Sequence, residues 1–251
     1  MSDETRDQAA AGGAGEGQGA HVHHDDHRNL NSGMARAAVF GVSDGLVSNA
    51  SLVLGIAGAD DAQGFVRLAG VAGLIAGAVS MAAGEYVSMR AQRELVEREL
   101  EVERREHRRN PHHEIAELAK TYEQRGVDAD VAREMAEGLM EDPEQALEVH
   151  AREEMGIDPN ELGSPWLAAV SSFLAFCVGA LLPLFPWFFG GGGGAVVASI
   201  VLAVIGAAGV GAALARFTGR SVFWSSGRQV LIASGAAVVT YAIGTAVGTG
   251  V

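Results

Sequence analysis

Five long apolar runs, a strongly acidic block between the second and third, and basic residues concentrated in alternate loops predict an all-α membrane protein. Its five transmembrane helices carry a cytoplasmic helical domain inserted between helices two and three. Charge segregation is the first ground. Of 251 residues, those from Leu162 to Ala215 include no charge, and from Gly163 onward there are three Arg and no acid. A water-soluble domain does not separate its charges in this way. Length is the second. The apolar runs 34–59, 68–90, 165–189, 195–215 and 229–250 each have about 20 residues or more, enough to cross a ~30 Å hydrocarbon core at 1.5 Å per residue. The third is the block 91–163, with 21 Asp and Glu against 10 Lys and Arg; it supplies most of the net charge of −13. Such a block disfavours nucleic acid and favours cations.

Residues 1–33 are polar and Gly-rich and read as a disordered tail. They hold His21, His23, His24, Asp25, Asp26 and His27, a cluster of metal-ligand types. No apolar signal-peptide core is visible there, so the first span is expected to direct membrane insertion. Residues 34–90 form helices one and two, with Asp60, Asp61 and Arg67 at the turn. Residues 91–163 form the acidic domain and 164–251 helices three to five. Pro183 and Pro186 should kink or unwind the end of helix three. Gly190–Gly194 is the turn into helix four. Gly41/Gly45, Gly73/Gly77 and Gly244/Gly248 have the small-residue spacing of tightly packed membrane helices, within one chain or across a dimer.

Helix two has no Gly or Pro between Glu85 and Asn110, so it should run on into the acidic block. Asn110-Pro111 starts the next helix, which ends at Gly126. Asp128 caps a third helix and Asp142-Pro143 starts a fourth, ending near Gly156. The basic loops precede span one, follow span two and separate spans four and five. With five spans they fall on one side, and the positive-inside bias makes that side cytoplasmic. The expected location is therefore a multi-pass cell-membrane protein with its N-terminus and acidic domain in the cytosol.

Asp44 and Glu85 lie inside apolar spans. An ionised group at bilayer depth costs about 2.5–3.5 kcal/mol on insertion scales. Glu85, five residues before Arg90, is near a helix end. Asp44 is not: its nearest charged neighbours in sequence are Arg36 and Asp60. Met81 is one turn before Glu85, and a thioether beside a carboxylate suits a transition metal better than calcium or magnesium. In the acidic domain Glu103 and Glu106 share one helix face, as do Glu114 and Glu117. Two such pairs across a hairpin would converge four carboxylates on divalent cations, or would form an ordinary solvated face. His107, His112, His113 and His150 lie nearby. Cys177 is the only cysteine, which excludes an intrachain disulfide and a thiolate metal site.

The stretches FGVSDGLVSNASLVLG and GLIAGAVSMAAGEYVSMRAQREL, the four glutamates and ALEVHAREEMGI resemble the vacuolar iron transporter family. The resemblance covers about residues 29–251. It implies a five-span homodimer that exports ferrous iron, with manganese as second ion, from the cytosol in exchange for protons. No prosthetic group is implied; Fe(II) or Mn(II) is the bound and carried ion. By the resemblance Asp44, Met81 and Glu85 line the ion path. Glu103, Glu106, Glu114, Glu117 and Glu154 bind metal in the cytoplasmic domain. This chain departs at His150-Ala151, where the family often has two Met: His150 takes the place of one ligand, and Ala151 cannot coordinate. Two other classes compete. A carboxylate di-iron ferroxidase wants Glu-x-x-His motifs, and the block has none. A membrane-anchored metal buffer or sensor would have no use for Asp44 and Glu85.

Overall fold

The computed structural model describes residues 33–159 and 162–248, the backbone alone for 33–37. The histidine cluster of the N-terminal tail lies outside the described residues. The helices are α1 (Gly33–Ala59), α2 (Gln63–Arg109), α3 (Pro111–Gln124), α4 (Ala129–Leu139), α5 (Pro143–Glu153), α6 (Pro165–Leu184), α7 (Gly192–Thr218) and α8 (Val222–Gly248). No strand occurs among the described residues. Five helices are long and apolar enough to span a membrane: α1, α2, α6, α7 and α8. Their large apolar residues are widely exposed, among them Ile75, Val79, Leu174, Val178 and Ile205. Exposed apolar side chains on five helices match a hydrocarbon surround rather than water.

α1 is the central helix, packed on α6, α8, α2 and α7. Its contact with α6 is backbone to backbone. A Cβ on Gly45 would lie 2.2 Å from the Phe176 carbonyl oxygen, and one on Gly179 2.1 Å from that of Val42. Gly244 closes on Gly55 of α1 in the same manner. The sequence left open whether the paired glycines pack within the chain or across a dimer; here they meet helices of the same chain.

The end of α6 carries the effect expected of its prolines. The α-helix stops at Leu184 and Phe185–Phe188 continue as a 3-10 turn. Trp187 there is fully buried. Its Nε1–H donates to Ser199 Oγ of α7 at 2.9 Å, and the Ser199 hydroxyl donates to the Pro183 carbonyl at 2.7 Å. Ser199→Ala leaves a buried N–H and a carbonyl without these partners, so it should destabilise the protein by about 1–3 kcal/mol. Thermal unfolding in detergent checks this; an unchanged midpoint would mean the relay is dispensable.

α2 has 47 residues, about 70 Å of helix at 1.5 Å per residue, far more than a bilayer needs. The boundary between membrane span and acidic domain thus falls inside one unbroken helix. Beyond Arg90 the helix is held by exposed i,i+4 pairs, Arg90–Glu94 at 2.7 Å and Arg93–Glu97 at 2.9 Å. Exposed pairs of this kind add little to stability, because water and salt screen them. α3 and α5 pack on the far end of α2, and α4 packs on α3 and α5. Asp128 accepts from the Asp130 N–H at 3.1 Å and Asp142 from the Glu144 N–H at 3.0 Å, two of the three expected caps; Asn110 precedes α3 but its side chain makes no capping bond. The domain's core is small: Leu118, Ala119, Ala132 and Ala136, with Ile115, Tyr122 and Val149 against them.

Candidate metal sites

The first site lies within the membrane helices. A pocket of about 290 Å³ opens between α1 and α2, floored by Phe176 of α6. α1 supplies Asp44, Ser48, Asn49 and Leu52; α2 supplies Gly73, Gly77, Ser80 and Met81. The helical repeat explains the α1 set, since 44, 48 and 52 fall one turn apart on one face. The glycines explain the space. A Cβ on Gly73 would lie 2.3 Å from Leu52 Cδ2, and one on Gly77 2.2 Å from Phe176 Cζ.

Asn49 is the member that sequence reasoning missed. It is 2% exposed. Its Nδ2 donates to the Ala180 carbonyl of α6 at 2.7 Å, which fixes the amide's orientation. Its Oδ1 is buried and has no hydrogen-bond partner. The pocket therefore offers a carboxylate, an amide oxygen and a thioether. Glu85 is half-buried one turn beyond Met81 and does not line this pocket.

The second site is in the acidic domain. Glu103, His107, Glu114 and His150 each present a donor atom, all within 4.8 Å of one another. They come from three helices, α2, α3 and α5. Glu103 and His107 are one turn apart on α2, with Oε1 and Nε2 3.1 Å apart. The contact is close but poorly aligned, and both atoms lack a hydrogen bond. His150 Nε2 lies 3.8 Å from Glu114 Oε2. Side-chain exposure is 13% for Glu103, 8% for His107, 4% for Glu114 and 0% for His150.

The two carboxyls are tuned in opposite directions. The His107 imidazole holds Glu103 below the ordinary carboxylate range, against the desolvation that opposes it. Burial pushes Glu114 up, helped by the nearby Glu103 charge. Glu154 keeps an exposed surface, yet partial desolvation on its inner side, with the Glu117 and Glu103 charges adding to it, raises it as well.

A smaller, more exposed group joins Glu114 and Glu117 to His113, whose Nδ1 is 3.2 Å from Glu117 Oε2. The expected carboxylates therefore do not all converge. Glu103, Glu114 and His150 share one cluster, and Glu117 joins Glu114 at its edge. Glu106 and Glu154 are exposed and belong to neither group. Ala151 is fully buried beside His150 as a packing residue.

A family model described as "VIT family" matches residues 35–245. The chain is similar to a protein of Acanthamoeba castellanii called "Vacuolar iron transporter", 41% identical over 153 residues. That alignment covers 61% of this chain and 55% of the amoebal protein, so the chain spans about half of that relative. It is also similar to "Vacuolar iron transporter 1" of Oryza sativa subsp. japonica, 29% identical over 90% of this chain and 91% of the rice protein. A tulip protein of the same name (Tulipa gesneriana) is 30% identical over 89% of this chain and 91% of its own length.

Proposed function

Because the chain belongs to the VIT family, we propose that it exports ferrous iron from the cytosol across its membrane in exchange for protons. The family is one of transporters and not of enzymes, which sets the ferroxidase reading aside. The observation that carries the proposal is the pocket between α1 and α2. It brings the Asp44 carboxylate, the Met81 thioether and the unpartnered Asn49 Oδ1 to one space among apolar spans. A carboxylate alternates between holding a cation and holding a proton, the exchange that antiport requires. The thioether favours a transition metal over calcium or magnesium. A buffer or sensor would have no use for this pocket.

In this reading the acidic domain stands on the cytosolic side and captures the ion, with manganese as the second candidate. Glu103, Glu106, Glu114, Glu117, Glu154 and His150 are its proposed ligands, and Glu85 lies further along the ion path. Replacing Glu103, Glu106, Glu114 and Glu117 together by Gln should remove most divalent-ion binding by the domain. Calorimetry with unchanged stoichiometry would return these residues to a solvated face.

We also read the protein as a homodimer. Asp44 and Ser48 are exposed on the protomer beside Phe40, which is 60% exposed. Hydrocarbon cannot solvate a carboxylate, and a second copy over this face would close the pocket's open side. Uptake of Fe(II), Mn(II), Co(II) and Zn(II) by proteoliposomes under an imposed pH gradient tests the transport reading. Iron uptake that tracks the gradient supports it; none with or without the gradient overturns it.

A further inference from the structure

We infer that His107, with Glu103, Glu114 and His150, completes a closed site of two imidazoles and two carboxylates that selects Fe(II), Co(II) or Zn(II) over Mn(II) and Mg(II). The inference rests on the reading of the acidic domain as a metal-capturing unit and deepens it. His107 enters from the geometry, since neither its spacing nor the resemblance marks it as a ligand.

Three features converge on it. The first is the concentration of unpartnered atoms. Glu103 Oε1, His107 Nε2 and His150 Nε2 are all buried without a hydrogen-bond partner, and all lie in this one cluster. Buried polar atoms are ordinarily paired, so three orphans facing one point need a common partner. The second is the orientation of His150. Its Nδ1 lies 3.1 Å from the Ala146 carbonyl, its own helix one turn back. An imidazole that donates Nδ1–H to a carbonyl presents the Nε2 lone pair to the opposite side, as metal-bound histidines do. The third is spacing. Ligands about 2.0–2.1 Å from a tetrahedral ion sit about 3.3 Å from one another. The Glu103–His107 and Glu114–His150 pairs are already at 3.1 and 3.8 Å. The two rings meet edge to face with centroids 4.5 Å apart, so small rotations close the site.

The donor set decides the class of ion. Imidazole nitrogen suits iron, cobalt and zinc; magnesium and manganese prefer sites built of carboxylate, carbonyl and water oxygen. Two nitrogens in a buried four-ligand shell therefore work against manganese.

The test uses the full chain in detergent, stripped of metal, with His21, His23, His24 and His27 changed to Asn so that the tail cannot contribute nitrogen. Co(II) titration should give the visible ligand-field bands of a four-coordinate ion. Zn(II) should displace it, and a tenfold excess of Mn(II) should not. His107→Phe, which keeps a planar ring, should abolish the bands and weaken Zn(II) binding by about 100-fold or more. Metal-free melting reports whether that variant folds. Pulsed EPR of the Cu(II)-loaded, tail-substituted chain counts coordinated imidazoles without any change at the site, and two are expected. Fewer than two imidazoles, unchanged cobalt bands in folded His107→Phe, or Mn(II) competing equally with Zn(II) would each overturn the inference. The cobalt bands should persist in Asp44→Asn. Loss of the domain site with transport intact would leave the transport reading standing, and loss of transport with the bands intact would leave this one.

Discussion

Asp44→Ala should lose transport by about 100-fold or more while the protein still inserts and folds, at least as stably as the parent. The sign of the stability effect separates this residue from a structural one. A carboxylate at bilayer depth carries an insertion penalty of about 2.5–3.5 kcal/mol, which alanine removes. Nothing in the packing offsets that gain. The side chain is exposed on the protomer, and the neighbouring Ser48 hydroxyl bonds the Asp44 backbone carbonyl rather than its carboxylate. Asp44→Asn keeps the shape without the charge and should be equally inactive if ionisation is what matters. Flux into proteoliposomes and a melting curve are the two measurements. Parent-level flux in either variant would remove Asp44 from the ion path, and a collapse of the melting transition would make it a folding residue.

Much of this architecture was legible because local rules and the membrane agreed. Asp128 and Asp142-Pro143 mark helix starts by chemistry that needs no tertiary context, and both caps form. Pro186 cannot supply the N–H that the next α-helical turn needs, and α6 gives way to a 3-10 turn there, after the helix has taken Pro183 inside it. The errors have physical causes. The last span begins at Val222, seven residues before the apolar run at 229. Hydropathy discounted Ser225 and Ser226, yet these turn inward: Ser225 is buried and Ser226 donates to the Ala208 carbonyl, while Gln229, at the start of the predicted run, donates from Nε2 to Ser43 Oγ of α1. Arg67 was assigned to a turn but lies within α2, and α7 takes in Gly192, Gly193 and Gly194 of the glycine run. His107 is the instructive miss. Its signal was a spacing of four from Glu103, lost in a helix crowded with Glu and Arg. What made it a candidate ligand was the docking of α5 on α2, a tertiary fact with no trace in either helix alone. Asn49 was missed because an amide in an apolar span reads as packing until its partner, the Ala180 carbonyl, is known.

Gly179→Val should be among the most damaging single substitutions in the membrane helices, costing more than about 3 kcal/mol and leaving little folded protein. A side chain there meets backbone, not a rotamer that can swing away: the Val42 oxygen at 2.1 Å and the Leu46 nitrogen at 2.9 Å. Gly41 and Gly45 present the same obstacle from the α1 side, against Ser172 and Phe176. Relief requires α1 and α6 to separate by more than an ångström. That also breaks the 2.7 Å bond from Asn49 to the Ala180 carbonyl and opens the wall of the Asp44 pocket. Gly209→Ala is the control, because a Cβ there meets nothing within 4 Å; it should behave as the parent. Yield of monodisperse protein and its melting midpoint are the readouts for both. The companion variant Gly45→Val decides where the small-residue stripe acts. Packing within one chain predicts unfolding, whereas protomers that stay folded but no longer pair would assign Gly41 and Gly45 to the contact between two copies.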